Sequence, residues 1–303
     1  MQPPAKNIGR FNTLMDQLYK LARHNRQGSY RTRERYFEAC RRFCAFLADV
    51  FHLQRLEKIS GKHLVAYVLY LQLNGKSAST VKTDLSGIRF FHDKMPNPRY
   101  RLPDNTELGI ELERRRFGQE DRTWSASEFD RMITLAREEG RDDYVLVANL
   151  ARYVGLRIHE CFRIDTAIVE RAIRENAITI KGKGGKVRTV PIGEDIVSQF
   201  QEQLARTVRG HKLLVPDDVP TDRAINHFQQ WLLAHRAELR DADDDRPLTC
   251  HGLRHTYAAE QYKDMVDNNV GALDAHFAVS RLLGHERADV TDIYLASLKQ
   301  EKK

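Results

Sequence analysis

The sequence predicts a mainly helical protein with two domains, and three observations lead to that prediction. Its 303 residues exceed what one ordinary hydrophobic core holds. Amphipathic patterns with three- and four-residue spacing run through the first hundred residues. In the rest of the chain, helical patterns surround one pair of short β-branched segments. We therefore expect a helical first domain and a mixed α/β second domain that is mostly helical with a small β-hairpin.

The first domain is predicted from three amphipathic segments. In "RTRERYFEACRRFCAFLADVF" the apolar side chains of Tyr36, Cys40, Phe43 and Leu47 recur at helical spacing. The segments "GKHLVAYVLYLQL" and "STVKTDLSGIRFFHDKM" repeat this pattern. We expect an N-terminal arm over residues 1–27 and a helical domain over residues 28–105.

The second domain is predicted to follow a linker. The stretch "KMPNPRYRLPDNTELGIELERRRFGQEDRTW" contains three prolines and has no sustained period, which indicates an extended connection. We assign the linker to residues 106–123 and the second domain to residues 124–303. Ser125 and Glu128 form a capping-box pattern at its first helix, and "NAITIKGKGGKVRTVPIG" has the pattern of a hairpin with a Lys/Gly turn.

Composition limits the class of protein. Hydrophobic residues make up 41% and charged residues 30% of the chain, and no apolar run is long enough to span a bilayer. With no apolar core in the opening "MQPPAKNIGR", we expect a cytoplasmic protein without a membrane partner. The cysteines show no CxxC pairing, so we expect buried free thiols at Cys40, Cys44, Cys161 and Cys250.

The charge is unevenly distributed along the chain. Residues 1–105 hold 19 basic and 8 acidic side chains, a net charge of +11, whereas the rest holds 30 and 34, a net charge of −4. Such a basic half favours binding to a polyanion, although a merely solvated basic surface has the same composition. The second half then needs local positive clusters to contact the same ligand.

Several reactive side chains of the second domain are individually weak signals. Arg157 and Glu160 have the spacing of a surface ion pair, and the turn "KGKGGK" lacks the spacing of a nucleotide-binding loop. His251 and His255 are four residues apart, but the glutamate of an HExxH zinc motif is missing, so we expect no metal. A lone His285 or Tyr294 is usually structural.

Taken together, these residues match the needs of phosphodiester cleavage without a metal or another cofactor. Two permanently charged, bidentate arginines suit the charge that develops on the non-bridging oxygens. A tyrosine hydroxyl is mostly protonated at pH 7, so a tyrosine nucleophile benefits from nearby cations and a histidine base. The departing sugar oxygen needs a proton, and a lysine on a hairpin is able to supply it.

The motifs "GLRIHE", "KGKGGKVRTVPIG", "HGLRHTYA" and "LLGHERADVTDIYL" occur in an order that resembles the tyrosine recombinase (phage integrase) family. The resemblance is strong over about residues 124–296 and weaker over 28–105, which is similar to the family's SAM-like core-binding domain. It implies a catalytic recombinase domain at 124–303 and a DNA-binding domain at 28–105, which together form a C-shaped clamp around DNA.

The resemblance also implies roles for particular residues. Arg157 and Arg254 would clamp the scissile phosphate, and His251 would act as base or hydrogen-bond partner. Lys183 would be the general acid, His285 would bind the phosphate and Tyr294 would be the nucleophile. Glu160 would support the first arginine. Residues expected to contact the DNA backbone are Lys76, Lys82, Arg89, Lys181 and Lys186.

The predicted activity is site-specific cutting and rejoining of double-stranded DNA through a 3′-phosphotyrosyl bond, without metal, ATP or other cofactor. The resemblance implies two protomers per site and a homotetramer on DNA. Two alternatives stay open at this point. A type IB-like topoisomerase or a resolvase would use the same residues, and a catalytically inactive DNA-binding protein would share the fold.

Overall fold

A computed structural model describes residues 6–23, 25–112, 121–182, 185–242, 246–284, 288–295, 297 and 298. The chain divides into two compact units, Met1–Arg115 and Arg116–Lys303. Most described residues are helical, and one small antiparallel sheet lies in the second unit. The predicted fold class is therefore confirmed, whereas the exact domain boundaries stay a prediction.

The first unit contains four α-helices and a short 3₁₀ helix. They are α1 (Ile8–Arg23), α2 (Tyr30–Val50), the 3₁₀ helix (Leu56–Lys58), α3 (Gly61–Leu73) and α4 (Ala78–His92). Serines define two helix starts, since Ser29 and Ser77 accept hydrogen bonds from the backbone N–H groups three residues on. The apolar faces meet in one core, in which Leu14, Phe43, Leu64 and Leu85 are buried.

Two segments flanking the predicted first domain also contribute to this core. Residues 8–23 lie in the predicted N-terminal arm, yet they form α1 and bury Leu14, Met15 and Leu18. These three apolar side chains lie on one helical face, which Phe11, Leu21 and Ala22 extend along the helix. Leu108, in the predicted linker, is buried against the same core. The core therefore extends beyond the sequence range assigned to it.

A buried acidic side chain fixes α4 against its neighbours. Asp84 of α4 accepts two hydrogen bonds from Arg42 of α2, at 3.2 and 2.5 Å, and one from Tyr67 of α3 at 3.0 Å. Because an unpaired buried carboxylate is costly, these three bonds define how α2, α3 and α4 meet. The rotation of α4, and with it the position of Lys82, follows from this contact.

The second unit contains the remaining elements. The helices are α5 (Ala126–Glu138), α6 (Asp142–Tyr153), α7 (Ile158–Cys161), α8 (Thr166–Glu175), α9 (Glu194–Arg206), α10 (Thr221–Leu239), α11 (Cys250–Asp267), α12 (Ala272–Leu283) and α13 (Ala288–Tyr294). The strands β1 (Ala177–Lys181) and β2 (Val187–Pro191) pair antiparallel, with Thr179 opposite Thr189. The predicted hairpin is present.

The predicted capping box is also present at the start of α5. Ser125 accepts a hydrogen bond from the Glu128 backbone N–H at 3.1 Å, and Glu128 accepts one from the Ser125 N–H at 2.9 Å. All four cysteines are buried thiols, as expected. None of the helices in the described part of the chain has the length and apolar character of a membrane span.

Two hydrophobic clusters organise the second unit. The larger joins helices α5 to α10 and the hairpin to the first turn of α11, and it buries Tyr144, Phe162, Phe200 and Phe228. The smaller lies between α11, α12 and α13, and includes Tyr257, Leu283 and Tyr294. The predicted reactive residues of α7, α11 and α13 therefore rest on packed helices.

Candidate active site

The first predicted arginine lies at a helix start. Arg157 is the N-cap residue of α7, and its backbone N–H donates to Glu160 Oε2 at 2.8 Å. Its guanidinium Nη1 also donates to Glu160 Oε1 at 3.1 Å. The Arg157 side chain keeps 23% of its surface exposed, whereas the Glu160 side chain keeps 1%. The carboxylate therefore supports an arginine that solvent reaches.

A second arginine, from the hairpin, also binds this carboxylate. Arg188 of β2 donates from Nη1 to Glu160 Oε1 at 2.9 Å and from Nη2 to Oε2 at 2.6 Å. Burial disfavours the charged carboxylate, but the hydrogen bonds and charges of Arg188 and Arg157 outweigh it, and the pKa of Glu160 falls to about 2. Glu160 is therefore ionised at neutral pH despite its burial.

This depressed pKa predicts how stability depends on pH. Because Glu160 binds its proton more weakly in the folded protein, its contribution is fully present above its unfolded pKa of about 4.5 and is lost as pH falls towards 2. We expect Glu160→Gln to lower the free energy of unfolding by roughly 2–4 kcal/mol at pH 7. Urea denaturation at pH 7 and pH 3 measures this. A difference from wild type that does not shrink at pH 3 would contradict the prediction.

The second predicted arginine is completely buried. Arg254 of α11 donates from Nη1 to the Gly155 carbonyl and from Nη2 to the Leu283 carbonyl, the latter at 2.5 Å. Burial, together with the charges of Arg157 and Arg188, lowers the pKa of Arg254 to about 10, so the side chain stays charged at pH 7. Backbone carbonyls therefore hold both Nη atoms of a side chain that is 0% exposed among the described residues.

Three aromatic rings lie together beside Arg254. The Tyr294 ring centroid is 5.5 Å from the Arg254 guanidinium carbon and 5.3 Å from the centroid of the His251 ring. His255 stacks on Tyr294 with ring centroids 4.4 Å apart. Partial burial and the charges of Arg254, Arg122 and Arg157 lower the pKa of His251 to about 4, although the residue has an exposed surface. His251 is therefore neutral at pH 7.

Close backbone contacts fix the start of α11. Thr249 caps the helix, and its carbonyl accepts a hydrogen bond from Trp124 Nε1 at 3.0 Å. The Trp124 backbone N–H donates to Thr256 at 2.8 Å. Gly252 allows this approach, because an added Cβ would lie 2.5 Å from the Arg122 carbonyl oxygen. The first turns of α11, which carry His251 and Arg254, are therefore held by Trp124 and by the Arg122 backbone.

The structure brings together Arg157, Glu160, His251, Arg254 and Tyr294 of the predicted set. The predicted Lys183 and His285 lie outside the described residues. Their neighbours are described: Gly182 lies beside Glu160, and an added Cβ there would be 3.3 Å from Oε1. The hairpin turn is closed by a hydrogen bond from the Gly182 N–H to the Lys186 carbonyl at 2.6 Å. In the described part of the chain, no three His, Cys, Asp or Glu residues are grouped closely enough to hold a metal ion.

The predicted DNA-binding residues have different surroundings. Lys76 and Lys82 line one shallow hollow of the first unit. Arg89 instead donates to the Pro103 carbonyl at 2.8 Å and to Asn105 at 2.7 Å. In the second unit, exposed positions at the hairpin are occupied by Lys181 and Lys186. All five assignments stay predictions, and Arg89 already has internal partners.

Two residues of this site, Arg188 and His255, were not predicted from the sequence. Arg188 lies in the quoted hairpin motif, but its role depends on β2 folding back towards α7, which no local pattern reveals. His255 lies one residue after Arg254 and was considered only as a metal ligand. Its stacking on Tyr294 depends on α13 meeting α11. Both contacts are long-range, and local spacing does not report them.

Comparison with known proteins covers nearly the whole chain. The sequence model of the phage integrase family matches residues 124–301, and the model of the N-terminal SAM-like domain of phage integrases matches residues 14–101. Tyrosine recombinase XerD of Halalkalibacterium halodurans is 21% identical over 295 residues, covering 93% of this chain and 92% of the relative. XerD of Pseudomonas aeruginosa is 28% identical over 276 residues, covering 87% and 85%.

Solved structures have the same fold. A lambda integrase dimer bound to a COC′ core site aligns with a TM-score of 0.65 at 16% identity, covering 94% of both chains. The XerH site-specific recombinase bound to a palindromic difH substrate in a post-cleavage complex aligns with a TM-score of 0.61 at 17% identity, covering 100% of this chain and 90% of that one. At these identities the likeness concerns the fold alone.

Proposed function

This chain belongs to the phage integrase family and is a tyrosine-type site-specific DNA recombinase, and we propose that Tyr294 is its nucleophile. The observation that carries the assignment is the grouping of the Tyr294 ring with His251 and the Arg254 guanidinium. A neutral imidazole and an arginine are the kinds of neighbour that a tyrosine nucleophile uses, the first as proton acceptor and the second as positive charge beside the reacting group. The other buried tyrosine of the small cluster, Tyr257 of α11, packs against Gly155 instead.

The first chemical step forms one bond and breaks one. The Tyr294 oxygen attacks the scissile phosphorus, its proton passes to His251, and the bond to the 5′ oxygen breaks. Lys183 gives a proton to that oxygen, so the products are a 3′-phosphotyrosyl bond and a free 5′-hydroxyl. Arg157, Arg254 and His285 bind the non-bridging oxygens, where charge develops. Donors of this kind are typically worth about 10²- to 10³-fold each.

Rejoining is the same reaction in reverse, with the 5′-hydroxyl of another strand as the attacking group. The phosphotyrosyl bond conserves the energy of the broken phosphodiester, so the reaction needs no ATP. We assign two protomers to each DNA site and four to a complete exchange. Solved lambda integrase relatives, one a dimer on a core site and one a tetramer on a Holliday junction, support this assembly. Because its substrate is DNA, we expect the protein to act at the nucleoid, in the cytoplasm.

The proposed DNA binding by the first unit is tested by charge reversal. Lys76→Glu with Lys82→Glu should weaken binding and reduce the slope of log K against log salt by about 0.9 for each lost phosphate contact. The matched control is Lys6→Glu with Lys20→Glu, which changes the net charge equally at exposed positions of the same unit. Fluorescence anisotropy across a salt series measures both. Equal slopes for the two double variants would contradict the assignment.

The function itself is tested by trapping protein on DNA. Wild-type protein is incubated with sheared DNA from its source cells, denatured in detergent, and the DNA that stays attached is sequenced. We expect recurrent ends at one short sequence, with protein on the 3′ side of each break. Recovery of attached DNA with scattered ends would indicate a topoisomerase instead, and recovery of none would contradict strand cleavage.

A further inference from the structure

The buried Glu160 carboxylate has a full set of hydrogen-bond donors. Two come from the Arg188 guanidinium, at 2.9 and 2.6 Å, and one from Arg157 Nη1 at 3.1 Å. The fourth comes from the Arg157 backbone N–H at 2.8 Å. A carboxylate offers about four lone-pair sites, so Glu160 is saturated. Within this set Arg188 provides the bidentate pair and Arg157 only one guanidinium N–H.

The surroundings of Arg188 leave its side chain little freedom. Its side chain keeps 9% of its surface exposed, against 23% for Arg157. An added Cβ would lie 3.5 Å from Arg188 Nη1 at Gly182 and 3.1 Å from its Cδ at Gly284. The backbone on both sides therefore packs against the Arg188 side chain. Its guanidinium is fixed in the orientation that meets both Glu160 oxygens.

We propose that Arg188 is a positioning residue for recombination, which holds Glu160 by both oxygens and so keeps the Arg157 guanidinium available to the scissile phosphate. This inference rests on the proposed function, since it assumes that Arg157 binds phosphate. A bidentate arginine pair is stronger than a single contact. Without Arg188, the buried Glu160 carboxylate would pair with Arg157. Both carboxylate oxygens would then bind the Arg157 guanidinium. The carboxylate would then compete with DNA.

The proposal predicts that removing the charge of Glu160 offsets the loss of Arg188. Arg188→Met alone leaves Glu160 as a competitor for Arg157, and we expect cleavage to slow about 100-fold, the size typical of a misplaced catalytic group. Adding Glu160→Gln removes the competing charge while its amide oxygen still accepts the N-cap hydrogen bond. We expect the double variant to cleave at least tenfold faster than Arg188→Met.

The experiment measures the single-turnover rate at which the protein–DNA adduct forms. The substrate is a duplex with the site sequence found on the DNA trapped by wild-type protein. The variants are Arg188→Met, Glu160→Gln with Arg188→Met, and Arg174→Met, which removes an exposed arginine of α8 and should react at the wild-type rate. Each is also tried on the same duplex with sulfur as the bridging 5′ atom. Sulfur should not restore Arg188→Met, because the proposed lesion lies at the non-bridging oxygens. Thermal unfolding shows which variants are folded.

The outcomes separate this inference from the function it rests on. A double variant as slow as Arg188→Met would overturn the compensation, as would a wild-type rate for Arg188→Met. Restoration of Arg188→Met by sulfur would instead assign Arg188 to support of the Lys183 hairpin. If Arg188→Met does not fold, the double variant decides, and it must react within tenfold of wild type. Absence of an adduct with wild-type protein would overturn the proposed function itself.

Discussion

Tyr294→Phe should bind the recombination site as tightly as wild type and form no detergent-resistant protein–DNA adduct. The phenylalanine ring can still pack against His255 and over the Arg254 guanidinium, so the local packing is retained. Only the attacking oxygen is removed, and no covalent bond to phosphorus can form at this position. Gel electrophoresis in detergent measures the adduct, and anisotropy measures binding.

Tyr257→Phe is the matched control for this experiment. Tyr257 also follows the His-x-x-Arg motif and is buried in the same small cluster. Burial raises the pKa of its hydroxyl, which makes it a poor nucleophile, and its ring packs against the Gly155 backbone. We expect this variant to form the adduct. If Tyr294→Phe forms the adduct and Tyr257→Phe does not, the nucleophile has been assigned wrongly.

Lys183→Ala should slow cleavage of ordinary DNA by about 10²- to 10⁴-fold, the usual worth of general acid–base assistance. The reason is chemical: an alkoxide is a poor leaving group and needs a proton as it departs. With sulfur in place of the bridging 5′ oxygen the leaving group needs no proton. On that substrate, Lys183→Ala should react nearly as fast as wild type in single-turnover assays.

The neighbouring residues provide the controls. Lys181→Ala and Lys186→Ala remove exposed hairpin lysines. We expect these variants to bind DNA more weakly and to leave proton transfer to the 5′ oxygen unchanged. Arg254→Ala should not be restored by sulfur, because its proposed partner is a non-bridging oxygen. Sulfur restoring Lys181→Ala or Lys186→Ala while Lys183→Ala stays slow would move the general acid to another lysine.

Local patterns predicted the elements that depend on local physics. The capping box of Ser125 and Glu128 and the hairpin around the "KGKGGK" turn both follow from spacing within a few residues. Helix α1 lies in the range predicted as an arm, although Phe11, Leu14, Leu18 and Leu21 recur at helical spacing and pack on the core of the first unit. This helix could therefore have been predicted from its own spacing.

The same distinction applies to the site. Arg157 and Glu160 are three residues apart, so their pairing could be predicted. The bidentate contact of Arg188 with Glu160 joins residues 28 positions apart and depends on the path of the hairpin. The complete burial of Arg254 depends on Leu283 and Gly155, which come from separate segments. No periodicity in the sequence reports such contacts.

The most direct test of the account identifies the bond itself. Wild-type protein is trapped on its DNA site, both polymers are digested, and the joined peptide and nucleotide are sequenced by tandem mass spectrometry. We predict one modified peptide, containing Tyr294, with its oxygen attached to a 3′-phosphate. A nucleotide attached through its 5′-phosphate, or carried by Tyr257 or any residue other than Tyr294, would contradict the account.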